Sequence, residues 1–129
     1  MHFAYGTALL AAAALVLAGV SAPAAGAAEA YCHPTGDYCT SVAKVRGKRY
    51  LRVGTFSFRG SVRMCVTPPR GERECVSRRL ASASSSFVQA SARWSTWFTN
   101  HGRGRYRASF YAPSDVGNFQ LGPFLYFRR

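Results

Sequence analysis

Beyond residue 38 the chain alternates. Apolar and polar side chains change places every second position in short runs, and clusters of Gly, Pro, Asn or Ser separate the runs. That is the pattern of half-buried strands joined by tight turns. The clearest case is Ser61 to Leu80 (SVRMCVTPPRGERECVSRRL), two alternating arms around a Pro-Pro-Arg-Gly turn with a cysteine in each arm. Val62, Met64 and Val66 share one face of the first arm, so Arg63, Cys65 and Thr67 share the other. If Cys65 faces Cys75, then Arg63 faces Ser77 and Met64 faces Val76. Both cysteines then lie on the outer face with Arg63, Arg73 and Arg79, while Val76 and Leu80 point inward. Arg78 falls on the inward parity, which calls for an edge position or a drift in register.

The remaining segments follow the same reading. Cys39 to Arg46 carries Val42 and Val45 and ends in an Arg-Gly-Lys turn at Gly47. Arg49 to Phe58 is rich in aromatic and β-branched residues, which suits a strand. Its parity slips between Leu51, Val53 and Thr55 on one side and Phe56 and Phe58 on the other, so a bulge near Gly54 is expected. Ala81 to Ser86 is a polar loop. Phe87 to Phe98 fits both strand alternation (Val88, Ala90, Ala92, Trp94) and a helical face (Phe87, Ala90, Trp94, Trp97), and its Ser and Thr content favours strand. Arg105 to Ala112 puts Tyr106, Ala108 and Phe110 on one face. Phe119 to Arg129 closes the chain as a last strand, which Pro123 places at a sheet edge or after a bulge. About seven strands with turns every 8–12 residues predict an all-β sandwich, with the core organised by Trp94, Tyr106 and Phe110.

The N-terminal stretch has a different character. Ala8 to Val20 is an uncharged apolar run, shorter than the roughly 20 residues a membrane span needs. Small residues follow, with Ala-x-Ala-like sites after Ala27, Ala28 or Ala30. This is the layout of a secretory signal peptide, although its leading residues carry only His2 in place of Lys or Arg. The expected organisation is a leader over 1–30 and a single domain over 31–129. Cys32, Cys39, Cys65 and Cys75 all follow the leader, and an even count in an exported chain reads as two disulfides. Three connectivities exist. Cys32–Cys39 and Cys65–Cys75 are favoured because each closes a short local loop, the second contributing about 3 kcal/mol in the chain-entropy model. The spacings are not paired C-x-x-C, so no metal site or cofactor is expected.

Charge changes the picture most. The chain holds 17 Lys and Arg against 5 Asp and Glu, and all the basic residues lie beyond the leader. A field of this strength attracts polyanions and anionic surfaces. Arg103, Arg105 and Arg107 at strand alternation form the first candidate patch, and Arg63, Arg73 and Arg79 the second; arginine forks match phosphates bidentately. An arginine-, alanine- and glycine-rich composition also accompanies G+C-rich genomes, so the charge need not report a ligand.

The run Gly104-Arg105-Tyr106-Arg107-Ala108-Ser109-Phe110, followed by Gly117, Leu121-Gly122 and a final aromatic strand, resembles the end of a bacterial immunoglobulin-like or fibronectin-type-III-like domain. The mature chain is similar in style to small exported proteins of actinobacteria. The resemblance implies an immunoglobulin-like sandwich in which Tyr106 supplies the tyrosine corner, its hydroxyl bonding upstream backbone. The chain departs from antibody-type domains in lacking their Cys…Trp…Cys spacing.

Catalytic chemistry finds little support. Ser95, His101 and Asp115 contain the residue types of a hydrolytic triad, without a nucleophile-elbow motif. Glu72 or Glu74, His101 and Arg105 could be cast as the base, acid and phosphate ligand of a small ribonuclease, without supporting spacing; the two glutamates read more simply as a solvated cluster among arginines. Pro68 to Glu72, bounded by a disulfide and stiffened by proline, could present Arg70 as bait to a trypsin-like protease. The expectation is a secreted, monomeric, non-catalytic module that binds an anionic polymer or surface and has no membrane anchor. An inhibitor loop and a His101-dependent hydrolase are the alternatives.

Overall fold

In the computed structural model, residues 29–129 are described; residues 1–28 of the expected leader lie outside them. Nine strands form two antiparallel sheets, and the shared core lies between them. The first sheet contains β1 (Glu29–Cys32), β2 (Tyr38–Val45), β3 (Lys48–Thr55), β6 (Ala81–Ser82) and β7 (Val88–Arg93), in the order β1-β2-β3-β7-β6. The second contains β4 (Ser61–Thr67), β5 (Glu74–Arg79), β8 (Arg105–Tyr111) and β9 (Leu125–Arg128), in the order β5-β4-β8-β9. The chain therefore changes sheets after β3, after β5 and after β7.

Alternation builds the core. Val42, Leu51, Val53, Val88, Ala90 and Ala92 enter it from the first sheet, and Val62, Met64, Val66, Tyr106, Ala108, Phe110, Leu125 and Phe127 from the second. At one end an aromatic trio closes the layer. The Tyr106 ring stacks on Phe127 at 5.2 Å, and Trp94 meets both edge-on at 5.5 and 6.0 Å. Tyr106 and Phe110 are fully buried, and truncating a core aromatic to alanine costs about 3–5 kcal/mol.

Both disulfides form as expected, Cys32–Cys39 and Cys65–Cys75. Each joins residues directly opposite on neighbouring strands, so each staples one hairpin within one sheet. The β4–β5 register pairs Cys65 with Cys75, Arg63 with Ser77 and Met64 with Val76, as the alternation predicts. Cys65 has the outward parity yet is fully buried, because Ser109 of β8 lies directly beside it on the same face and is itself buried. Arg78 keeps the inward parity at the edge of its sheet. Its Nε donates to the Ser91 carbonyl of β7 at 2.9 Å and its guanidinium lies 4.3 Å from the Trp97 ring centre, so the long side chain bridges the sheets.

Two local expectations are corrected. The parity slip after Val53 is resolved by the strand ending at Thr55. Pairing with β2 and β7 runs through Gly54 without a bulge, Phe56 turns out to solvent (55% exposed), and Phe58 re-enters the core after the bend. Gly54 is instead a close-approach position: a Cβ there would sit 2.3 Å from the Phe87 ring. Phe87 to Phe98 satisfies both of its periodicities in turn. Alternation holds through β7, and a single helical turn, α1 (Trp94–Trp97), then places Trp94 and Phe98 inward and Trp97 outward. Strand β1 begins at Glu29, inside the stretch expected to be leader. It pairs Glu29 with Val42 and Tyr31 with Thr40, and the Glu29 carboxylate accepts the Tyr126 N–H of the other sheet at 2.6 Å.

Candidate functional site

The outer face of the four-stranded sheet is where the candidate arginines meet. Pairing fixes its rows: Ser77–Arg63–Tyr111, Cys75–Cys65–Ser109, Thr67–Arg107–Tyr126 and Arg105–Arg128. Arg79 stands at the end of β5, opposite Ser61. Arg105 and Arg107 do share the face of β8 as predicted, but β8 begins at Arg105. Arg103 lies in the preceding turn, separated from the strand by Gly104 at φ 141°. Arg103 acts through its backbone, its carbonyl accepting both terminal nitrogens of Arg70 at 3.3 and 3.0 Å.

Three arginines here lie over aromatic rings. The Arg105 guanidinium lies 3.9 Å from the Tyr126 ring centre, Arg107 lies 4.0 Å from Phe124, and Arg73 lies 5.9 Å from Tyr111 while donating to its hydroxyl at 3.3 Å. A guanidinium over a ring is restrained by it while N–H groups at its exposed edge can still donate. Arg107 Nε is enclosed and has no acceptor. No Asp or Glu occupies these rows. Across the described residues the recorded arginine side-chain hydrogen bonds end on carbonyl, hydroxyl or amide oxygens, none on a carboxylate. The acids have other tasks. Glu29 ties β1 to β9. The Glu74 carboxylate accepts the Thr99 N–H and hydroxyl at 2.7 and 2.6 Å, which holds its pKa below the ordinary value, with a smaller contribution from nearby His101. Glu74 is thus a loop anchor and not part of a solvated arginine cluster.

Sequence reasoning missed Arg128 and the two ring partners Tyr126 and Phe124. Arg128 alternates with Tyr126, a signal present in the sequence but masked by the apolar neighbours Leu125 and Phe127. Lys44, Lys48, Arg49, Arg93 and Arg129 gather elsewhere, around a recess at the end of the sandwich.

The other candidate residues are dispersed or engaged. His101 precedes β8 and Asp115 follows it in a 3-10 turn (Ser114–Val116), so a seven-residue strand of about 3.3 Å per residue lies between them. Ser95, His101 and Asp115 are not brought together. The Pro68–Glu72 loop is folded onto the turn before β8: Gly71 packs against the His101 ring, Pro69 against Gly104, and Arg70 is clamped to Arg103. Among the described residues there is no group of three or more His, Cys, Asp or Glu able to hold a metal ion, and no helix long and apolar enough to cross a membrane. The two disulfides fit an oxidising environment.

Comparison with protein-family models, with curated proteins and with solved structures returned no match.

Proposed function

We propose that this chain is an exported immunoglobulin-like domain that binds an extended anionic polymer, without catalysis, on the outer face of its four-stranded sheet. Two features support the immunoglobulin-like reading. The order β2-β3-β7-β6 against β5-β4-β8-β9 corresponds to strands A-B-E-D and C′-C-F-G, with β1 as an added N-terminal strand. At the start of β8, the counterpart of strand F, the Tyr106 hydroxyl donates to the upstream Gly102 carbonyl at 2.7 Å, the bond of a tyrosine corner.

The observation that carries the binding reading is the set of arginines lying over rings on a face that has no carboxylate in its strand rows. Folding gathers these like charges without counterions, and a bound polyanion would supply them. Phosphate or sulfate oxyanions suit the exposed guanidinium edges. Because the rings are already covered by guanidinium groups, the face is suited to a charged backbone and poorly suited to stacking bases. The partner is therefore a polymer read by charge spacing, such as a cell-wall polyphosphate or a sulfated polysaccharide.

The test is direct titration with poly(glycerol phosphate) and with heparin. Arg105→Ser/Arg107→Ser should weaken both at least tenfold, whereas Arg59→Ser, away from the face, should change neither. Equal losses in the two variants would show that binding follows net charge and not this face.

A further inference from the structure

A recess of about 440 Å³ opens at the end of the sandwich, where the β2–β3 hairpin, α1 and the C-terminus meet. Its size falls within the range of small-molecule pockets, roughly 300–1,000 Å³. Lys44, Lys48, Arg49, Arg93, Arg128 and Arg129 line it, and no Asp or Glu does. Only Arg128 also belongs to the outer face of the sheet.

The recess is constructed from several elements. Arg49 sits on the inward parity of β3 with Leu51 and Val53 and is buried; its guanidinium rests 4.7 Å from the Phe127 ring centre and donates to the Arg128 carbonyl at 3.4 Å. Arg129 lies 5.2 Å from the centre of the Trp94 ring, and its Nε reaches Asn100 Oδ1 at 3.5 Å. Burial, and then the nearby charge of Arg129, depress the Arg49 pKa. Two donors of the wall are enclosed without acceptors: Nε of Arg93 and the indole N–H of Trp94, a residue only 6% exposed. Six cations, one of them buried, thus share a small concavity that no Asp or Glu side chain lines. Such an arrangement raises the local concentration of anions.

We propose that this recess is a second anion site, distinct from the sheet face, that takes a compact oligophosphate. Phosphoryl groups place the most negative charge in the least volume, and a molecule with several of them matches six cations in one pocket. A single phosphate leaves most of the cations unpaired, and a polymer chain spans the face more readily than it enters a recess. Arginine forks take oxygens in pairs and lysines act as point-charge phosphate ligands.

Trp94 makes the site observable. In a Trp97→Phe background it is the sole fluorophore of its kind among the described residues, and titration with inorganic tripolyphosphate should give a saturable one-to-one change. Affinity should exceed that for orthophosphate at least tenfold. Arg93→Ser/Arg129→Ser should lower tripolyphosphate affinity at least tenfold, while Arg105→Ser/Arg107→Ser should change it less than twofold. Calorimetric titration of the unaltered protein provides the same comparison should Trp97→Phe perturb folding. Absence of saturable binding, equal affinity for the two phosphates, or equal losses in the two double variants would overturn the proposal. Heparin binding lost in Arg105→Ser/Arg107→Ser with tripolyphosphate binding retained keeps the two sites separate.

Discussion

The Tyr106 hydroxyl donates to the Gly102 carbonyl at 2.7 Å and accepts the His101 N–H at 2.9 Å. One buried side chain at the start of β8 thereby holds the turn between α1 and β8, the turn on which Pro69, Arg70 and Gly71 rest. Tyr106→Phe leaves the ring packing on Phe127 intact and removes both bonds. Loss of hydrogen bonds between part-buried groups costs about 0.5–1.5 kcal/mol each. Urea denaturation should therefore show a lower midpoint with an unchanged slope. A midpoint equal to that of the unaltered protein would mean that the turn does not depend on this hydroxyl.

Glu74 gives a pH dependence of defined sign. The Thr99 hydroxyl first, and the Thr99 N–H second, hold its pKa below the ordinary 4.5; desolvation opposes them, and the His101 charge adds a smaller lowering. A carboxyl depressed in the folded state stabilises the protein above its unfolded pKa and loses that contribution as pH falls through the folded one. Stability measured by denaturant titration should therefore decline below about pH 4.5, and Glu74→Gln should flatten that limb. A decline of equal steepness in Glu74→Gln would assign the acid sensitivity to another group.

The β2–β3 loop contains a local misfit. Arg46 and Gly47 both have positive φ, 53° and 80°, between the paired residues Val45 and Lys48. This is a two-residue turn of the primed type, in which Asn-Gly is preferred. An L-residue other than Gly or Asn pays for that backbone by about 1–2 kcal/mol. Arg46→Asn should recover part of it, about 0.5–1 kcal/mol, seen as a rise in thermal midpoint. A fall would mean that the Arg46 side chain contributes more than its backbone costs.

Strand β1 bears on processing. Glu29 and Ala30 pair with Val42 and Ser41, and the Glu29 carboxylate holds Tyr126. Cleavage after Ala30 would remove both residues, whereas cleavage after Ala28 keeps them. If the chain is exported as proposed, the mass of the processed protein should correspond to a chain starting at Glu29, and a chain starting at Tyr31 should be less stable. A mature N-terminus at Tyr31 with undiminished stability would contradict this.

How far the sequence could be read followed from physical causes. Alternation placed Val62, Met64, Tyr106 and Phe110 on inward faces because side chains in a strand point to opposite sides in turn. It also set the register of the Cys65–Cys75 hairpin. It failed where length or exposure breaks that logic. Phe56 is apolar but turned outward, its ring 4.9 Å from that of Phe87, and its hydrophobicity suggested a bulge that the strand end makes unnecessary. Arg49 and Arg78 occupy inward positions at strand ends, where a long side chain reaches a ring or a carbonyl. Strand β1 was hidden because Glu29 and Ala30 read as leader and because its pairing depends on backbone bonds to β2. At the candidate face, the Arg105–Arg107 alternation was legible in β8. The stacking of those arginines on Tyr126 and Phe124 was not, since it joins β8 to the closing segment across the sheet.

The central claim is that the arginine face of the four-stranded sheet binds a polyanion by charge. It is tested most directly by the salt dependence of heparin affinity, measured between about 50 and 200 mM salt. Log K should fall linearly with log salt concentration, with a slope reduced by roughly one for each arginine removed in Arg105→Ser/Arg107→Ser. Affinity that ignores salt, or a slope unchanged by that double substitution, would contradict it.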